Sequence, residues 1–370
     1  MKVHNAPLAT LLLCAAAMAL VGGRPLAGAA PQQANAPLDQ RVAEMVKSRI
    51  LAQGVPSVSV AVMRDGKVLM EDAWGRADVD KNLEASSATV YPIGSVSKEF
   101  TAALVLKLVD RGRVSLTDPV GKYLQGLTPE FSGVTIEQLL NHTSGVPRDV
   151  RNPETRFESM SSDMLVQIAA RAKLATTPGT AYAYSNTGYM LLGALVEKVA
   201  GKPYGVALHD DIAAPLGLTT LTRCGDPKPG VAIGYMLSDG KLAPPPGIHH
   251  SQLLGAGGVC TTAADLVKWR HALHGGRVLS ANSYAAMTTP RGPAVAGNYG
   301  FGLYARPAPW GDMAIVGGGQ ALSGHTAELH WYPGQSLAVA LLYNAAPRVP
   351  GVADLVPRIV LGVPLAAPKQ

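Results

Sequence analysis

The stretch Val90-Tyr-Pro-Ile-Gly-Ser-Val-Ser-Lys-Glu-Phe-Thr101 decides how this chain is read. Ser95-Val-Ser-Lys98 opens a helix predicted over 95–111, in which Phe100, Leu104 and Leu108 recur every four residues and Gly112 stands where a C-terminal cap belongs. Side chains three apart share a helix face, so the Lys98 amine reaches the Ser95 hydroxyl. A serine hydroxyl is a poor nucleophile until a base lies beside it. Lysine is such a base only when burial or a neighbouring cation depresses its pKa. The helix N-terminus favours the negative charge that builds on an attacked carbonyl. The same spacing occurs again in Ser238-Asp-Gly-Lys241, but an Asp-Gly turn with no helix behind it reads as a hairpin. Context therefore makes Ser95 the candidate nucleophile. A further element, Tyr184-Ser-Asn186, follows Pro178-Gly179. A tyrosine relays a proton when a lysine stabilises its phenolate, and an Asn amide holds a substrate amide or the lysine itself.

Working outward, Leu38, Val42, Met45, Val46 and Ile50 fall at helical spacing, which predicts an amphipathic helix over 38–53 ended by Gly54 and Pro56. Residues 58–63 and 68–70 flank Asp65-Gly66 as a hairpin. Thr135-Ile-Glu-Gln138 has capping-box spacing. Helices over 186–200 and 265–274 are stopped by Gly201 and by Gly275-Gly276. Strand character returns at 300–304, 313–316, 327–332 and 337–343, with a Pro333-Gly334 turn between the last two. Apolar residues over 352–360 predict a C-terminal helix kinked by Pro357. Strands at both ends with helices between them predict an α+β fold. One antiparallel sheet is built from N- and C-terminal strands and flanked by helices, with a mostly helical lobe over about 95–290.

The chain has 370 residues, of which 47% are hydrophobic, too many for a disordered protein. A net charge of +6 is spread along the chain, its densest group being Arg148, Arg151 and Arg156. A nucleic-acid binder concentrates its cations in a patch, so no nucleic acid is expected as a partner. No metal cluster, phosphate loop or dinucleotide fingerprint occurs, so no cofactor and no metal are expected.

At the N-terminus, Lys2 precedes an apolar run over 8–21 and an Ala27-Gly-Ala29 site, which reads as a signal peptide over 1–29. Leu13 before Cys14 argues against a lipoprotein site. A Pro/Ala/Gln-rich linker over 30–37 follows, then one domain over 38–362. The expected location is periplasmic or secreted, with no membrane span in the mature chain. Loss of Cys14 leaves Cys224 and Cys260, and the sequence leaves open whether they pair.

The stretch over 90–101 resembles the nucleophile region of the serine β-lactamase-related family, which holds class C β-lactamases, D-alanyl-D-alanine carboxypeptidases, family VIII esterases and D-amino-acid amidases. Leu139-Leu-Asn-His-Thr-Ser-Gly-Val-Pro147, the segment from Pro178 through Tyr184-Ser-Asn186 to Gly193, Gly257-Gly258 with Thr261 to Leu266, and Tyr299-Gly-Phe-Gly302 resemble further family segments in the same order. The resemblance covers about 38–345. It implies that Ser95 is acylated, that Lys98 and Tyr184 share proton transfer, and that Asn186 lines the acyl pocket. It leaves open which of Lys98 and Tyr184 is the base. His142 reads as a structural hydrogen-bonder.

The family's third motif is Lys-Thr-Gly, His-x-Gly or Trp-Gly-Gly on a strand edging the site. Gly324-His325-Thr326-Ala327 looks like a match, yet it lies close to the turn at Pro333, whereas the family spacing of about fifteen residues lands near Gly318. The motif is therefore placed within Gly317-Gly318-Gly319-Gln320, which carries no side chain able to grip a carboxylate. The oxyanion donors would be the Ser95 N–H and an N–H at Gln320 or Ala321. Gly318, Gly319, Gln320 and Ala321 complete the expected substrate-binding set. The leading expectation is an exported serine hydrolase acting through an acyl-enzyme on esters or D-amino-acid peptides and amides. The alternatives are a β-lactamase and an inactive penicillin-binding or sensor module. An ester, β-lactam or peptide of small size is the expected partner.

Overall fold

A computed structural model of the chain describes residues 36–226 and 230–365. The expected leader over 1–29 and nearly all of the linker over 30–37 lie outside the described residues. Helix α1 (Leu38–Arg49) precedes strands β1 (Ser57–Arg64) and β2 (Lys67–Asp78) and the short β3 (Leu83–Glu84). The β1–β2 turn needs two left-handed residues, and Asp65 (φ 51°) with Gly66 (φ 76°) supply them. Strand β4 (Tyr91–Pro92) leads into a single 3-10 turn, Gly94–Val96, and then into helix α2 (Ser97–Asp110). The lobe that follows holds the short helix Ile136–Leu140, with the capping box of Thr135 and Gln138, and helix α3 (Asn186–Ala200), ended by Gly201 at φ 70°. It also carries strands β5 (Thr222–Arg223), β6 (Tyr235–Ser238), β7 (Lys241–Ala243) and β8 (Val259–Thr261), then helix α4 (Ala263–His274). Strands β9 (Tyr304–Pro307), β10 (Met313–Ala321), β11 (His325–Tyr332), β12 (Leu337–Tyr343) and β13 (Ala345–Ala346) and helix α5 (Leu355–Leu361) complete the chain.

The main sheet has the order β3-β2-β1-β12-β11-β10-β9, so strands from the two ends of the chain meet at β1 and β12. Val58 pairs with Tyr343 and Arg64 with Leu337, antiparallel. Both faces are covered, which explains why β1 and β12 read as continuous apolar runs. Val58, Val60 and Val62 pack with Val42, Val46 and Val356 from the terminal helices. Ala61 and Met63 point the other way, into the core with Phe100 of α2 and Trp269 of α4. Two small sheets, β4-β8-β5 and β13-β6-β7, brace the lobe against the main sheet.

Three expectations need correction. Residues 300–303 are not strand. Gly302 sits at φ 79° with a Cβ position 2.5 Å from the Lys98 carbonyl oxygen, so this stretch is a turn pressed on α2 and the strand starts at Tyr304. Strand β10 runs on through the glycines to Ala321, because β11 pairs with it from Ile315 to Ala321. Pro357 does not kink α5. It is the third residue of that helix, where its missing N–H would be unpaired anyway.

Candidate active site

The turn Gly94–Val96 presents Ser95 at the head of α2. Gly94 sits at φ 52°, and a Cβ there would lie 2.9 Å from the backbone N and C of Gln320. Only glycine allows β10 and the serine turn to approach this closely. The turn is held from behind, as Ile93 N–H donates to the Val259 carbonyl at 3.0 Å and Val259 N–H to Ser97 Oγ at 3.0 Å.

Lys98 lies one turn after Ser95, in the first turn of α2, and is fully buried. Its Nζ lies 3.2 Å from Ser95 Oγ, 2.9 Å from Asn186 Oδ1 and 2.6 Å from the Ala256 carbonyl oxygen. The last two accept and never donate. A neutral amine gives its two N–H bonds to them and turns its lone pair to the one neighbour that can donate, the Ser95 hydroxyl. Burial, with Arg151 and then Arg148 nearby, holds the Lys98 pKa well below the usual lysine range, against the opposing pull of Asp149. The ring of Tyr184 stands 5.0 Å from Nζ, and its hydroxyl feels the Ser95 hydroxyl, which lowers the phenol pKa. Burial pushes the Tyr184 phenol up to about 12, so it stays protonated at neutral pH, although Ser95 and Arg148 pull the other way.

Tyr184 is bracketed by His142. The His142 carbonyl accepts from Ala183 N–H at 2.8 Å, and its Nδ1 accepts from Ser185 N–H at 3.1 Å. Burial, helped by Lys98 and Arg148, keeps this imidazole neutral. Asn186 is oriented by Asp149, whose Oδ2 accepts from Nδ2 at 3.5 Å while an ion pair ties Asp149 to Arg151. Burial raises the Asp149 carboxyl, but the Arg151 bonds and charge and the Asn186 amide hold it below the usual range.

Above the buried Lys98 and His142 opens a cleft of about 830 Å³. Ser95, Tyr184 and Asn186 are brought together there, and Gly318, Gln320 and Ala321 form its opposite edge. Gly319 is a correction to the expected set. Its Cβ position points into the Ile93 carbonyl and lies 3.1 Å from Ser95 N, so it is a buried spacer and not a cleft surface. His325 is buried on the neighbouring strand. Its Nε2 meets the Ala232 carbonyl at 3.0 Å and its Nδ1 meets Ser323 Oγ at 3.1 Å. Ser238 lies in the exposed β6–β7 turn beside Asp239. Cys224 and Cys260 form a disulfide with Cα atoms 5.1 Å apart.

Sequence reasoning missed the Ala256 carbonyl, which carries no side-chain signature, and Arg348 as a cation of the cleft. Arg148 and Arg151 line it, as does Arg348, which is ion-paired to the buried Glu328. The Glu328 carboxyl is pushed up to about 7 by burial, against the pull of Arg348. Among the described residues no group of three His, Cys, Asp or Glu is placed to hold a metal ion, and no helix is long and apolar enough to cross a membrane.

Known proteins share this arrangement of chain. The chain is 27% identical over 264 residues to a putative penicillin-binding protein, PbpX, of Bacillus subtilis, a match covering 71% of this chain and 65% of the relative. The chain thus spans just under two-thirds of that relative's length. The fold superposes on a D-stereospecific amidohydrolase from Streptomyces with a TM-score of 0.70 and 28% identity, over 82% of this chain and 93% of the other. It superposes on a D-amino acid amidase from Ochrobactrum anthropi, solved with L-phenylalanine amide, with a TM-score of 0.74 and 25% identity, over 89% and 97% of the two chains. Residues 38–363 match the family described as Beta-lactamase. The chain belongs to the Beta-lactamase family.

Proposed function

We propose that this protein is an exported serine hydrolase that forms an acyl-enzyme on Ser95 and acts on esters or on D-amino-acid peptides and amides. One observation carries the reading: Lys98 Nζ has two fixed carbonyl-type acceptors and faces the Ser95 hydroxyl with what remains. In the proposed mechanism the neutral Lys98 amine takes the Ser95 proton as Oγ attacks the substrate carbonyl. The oxyanion is met by the Ser95 N–H and the Gln320 N–H, since Gln320 is the β10 residue packed on Gly94. Tyr184, a phenol at neutral pH, gives its proton to the leaving nitrogen or oxygen and is reprotonated from Lys98. Water then attacks the acyl ester along the same route in reverse.

Amide or ester bonds of D-amino acids are favoured as substrates by the likeness to the Streptomyces amidohydrolase and the Ochrobactrum amidase. Export is supported by the leader-like sequence over 1–29 and by the Cys224–Cys260 disulfide, a bond that persists in oxidising compartments. The test is labelling with a fluorophosphonate, then peptide mapping. The adduct is expected on the peptide carrying Ser95 and is lost in Ser95→Ala. An adduct on Ser238, or none on the folded protein, overturns the reading.

A further inference from the structure

Behind the cleft lies a second cavity of about 350 Å³, within the usual range for small-molecule sites. Pro92, Ile233, Pro245, Ile248 and the Cys224–Cys260 disulfide make much of its wall. It shares Leu253, Gly257 and Ala321 with the catalytic cleft. Beside Leu253 that common wall is thin, because Gly257 has no side chain and Ala321 only a methyl. Both small residues adjoin the reacting centre. A Cβ on Gly257 would stand 3.7 Å from the Gly94 backbone, and Ala321 follows Gln320 on β10.

The cavity is preformed. The β4-β8-β5 sheet and the disulfide fix one side, and Ile233 N–H donates to the Ala77 carbonyl at 2.8 Å on another. Large apolar side chains at the edges of the two chambers face open space. Val231, 38% exposed, and Ile233, 45% exposed, line the cavity, and Leu322, 45% exposed, lines the cleft. Apolar side chains left uncovered beside a reacting serine point to an apolar ligand.

We propose that this cavity is an acyl-chain subsite. The chain of an acyl group held on Ser95 crosses Gly257 and Ala321 and lies in the cavity, so straight acyl groups longer than acetyl are preferred over acetyl. The proposal rests on the acyl-enzyme reading above, and it names the substrate class that reading leaves open. An acyl chain stays with Ser95 after the leaving group departs, so its burial favours both the transition state and the covalent intermediate.

The experiment compares p-nitrophenyl acetate, butyrate and hexanoate on the full chain. The value of kcat/KM is expected to rise about threefold to fourfold per added methylene until the cavity is filled. Ala321→Phe thickens the common wall and Ile248→Trp fills the far side. Each is expected to lower the hexanoate-to-acetate ratio at least tenfold, with folding checked by thermal melting. A flat profile in the wild type, or an unchanged ratio in both folded variants, overturns the proposal. A second arm needs no turnover: hexanoate binding to Ser95→Ala, read by calorimetry, is expected to weaken at least tenfold when Ile248→Trp is added. Hexanoate that fails to bind, or binds both proteins equally, overturns the subsite whatever the esters do. Inert esters with hexanoate bound to Ser95→Ala would instead overturn the acyl-enzyme reading and leave the subsite standing.

Discussion

The backbone of Gly317 lies so close to the carboxylate of Glu99 that a Cβ at residue 317 would overlap Oε1. Glu99 is fully buried and accepts from Arg270 Nη2 at 2.7 Å and from Trp269 Nε1 at 3.2 Å. Arg270 also donates to the Leu329 carbonyl, so this cluster joins α2, α4 and β11 directly beneath β10. The absence of a side chain at residue 317 is thus a consequence of the Glu99–Arg270 pair next to it.

Gly317→Ala is therefore expected to destabilise the fold by about 1–3 kcal/mol through overpacking. Glu99→Ala leaves the Arg270 charge buried without a partner and is expected to cost about 3–5 kcal/mol. The double variant should cost clearly less than the two singles added, because removing the carboxylate makes room for the methyl. Urea denaturation of the four proteins checks this, and strict additivity would contradict the packing relationship.

Lys98 sets a pH dependence of stability with a definite sign. Its folded pKa is lowered, chiefly by burial, whereas the unfolded chain has an ordinary lysine. Between those two values the unfolded state binds more protons, so stability rises with pH across that window. The contribution is complete near the ordinary lysine pKa of about 10.4 and is lost as pH falls. Lys98→Met, of similar length, removes this slope. The stability difference between variant and wild type is expected to grow by up to about 1.4 kcal/mol per pH unit as pH falls from alkaline to neutral. Denaturation at several pH values measures it, and a constant difference would show that Lys98 is charged in the folded protein.

Asn186 keeps Lys98 neutral by offering an uncharged acceptor at 2.9 Å. Asn186→Asp would put a carboxylate there, and an opposite charge at that distance raises a lysine pKa by about 1–3 units. The acid limb of the kcat/KM profile is expected to move to higher pH, with most activity lost at pH 7 and partly regained at pH 9. Asn186→Ala should lower activity without that upward shift. Profiles of the three proteins on one ester decide it.

Much of this site was legible because its signals are local. Ser95 and Lys98 are one helical turn apart, and 186–200 and 337–343 coincide with observed elements. What was not legible depends on partners distant in sequence. Glu99 and Arg270 are 171 residues apart. Lys98 is steered by a main-chain carbonyl 158 residues away, and any residue type supplies one. Three consecutive glycines look like a loop by composition, yet pairing with β11 makes them strand. The disulfide was undecidable because spacing along a chain says nothing of Cα separation.

The Cys224–Cys260 bond closes a loop across 36 residues and ties β8, behind the nucleophile turn, to the segment following β5. Chain-entropy reasoning assigns such a link about 3–4 kcal/mol. Mass spectrometry without reductant should find two hydrogens missing. Reduction or Cys260→Ala should lower the unfolding free energy by about that amount, and two alkylatable thiols in the native protein would contradict it.

The last prediction concerns what the cleft recognises. A cephalosporin brings a carboxylate that needs a cation near the serine, and a charge-assisted bond to it is worth about 1.5–3 kcal/mol. In the transition state that is roughly tenfold to more than a hundredfold in rate. No such cation stands on β10, where residue 317 is pinned by Glu99 and residues 318 and 319 are glycines. The guanidinium over Gly318, that of Arg348, has Nη2 2.7 Å from a Cβ position there, but it is already ion-paired to Glu328. Arg151 is likewise bound to Asp149. A neutral ester needs only the serine, the lysine–tyrosine pair and the backbone donors. Short-chain esters are therefore expected to exceed a chromogenic cephalosporin in kcat/KM when assayed side by side. Glu328→Gln should free Arg348 and narrow the gap by raising cephalosporin turnover. Cephalosporin turnover above that of the esters in the wild type would show that Arg348 or Arg148 grips the carboxylate despite its surroundings.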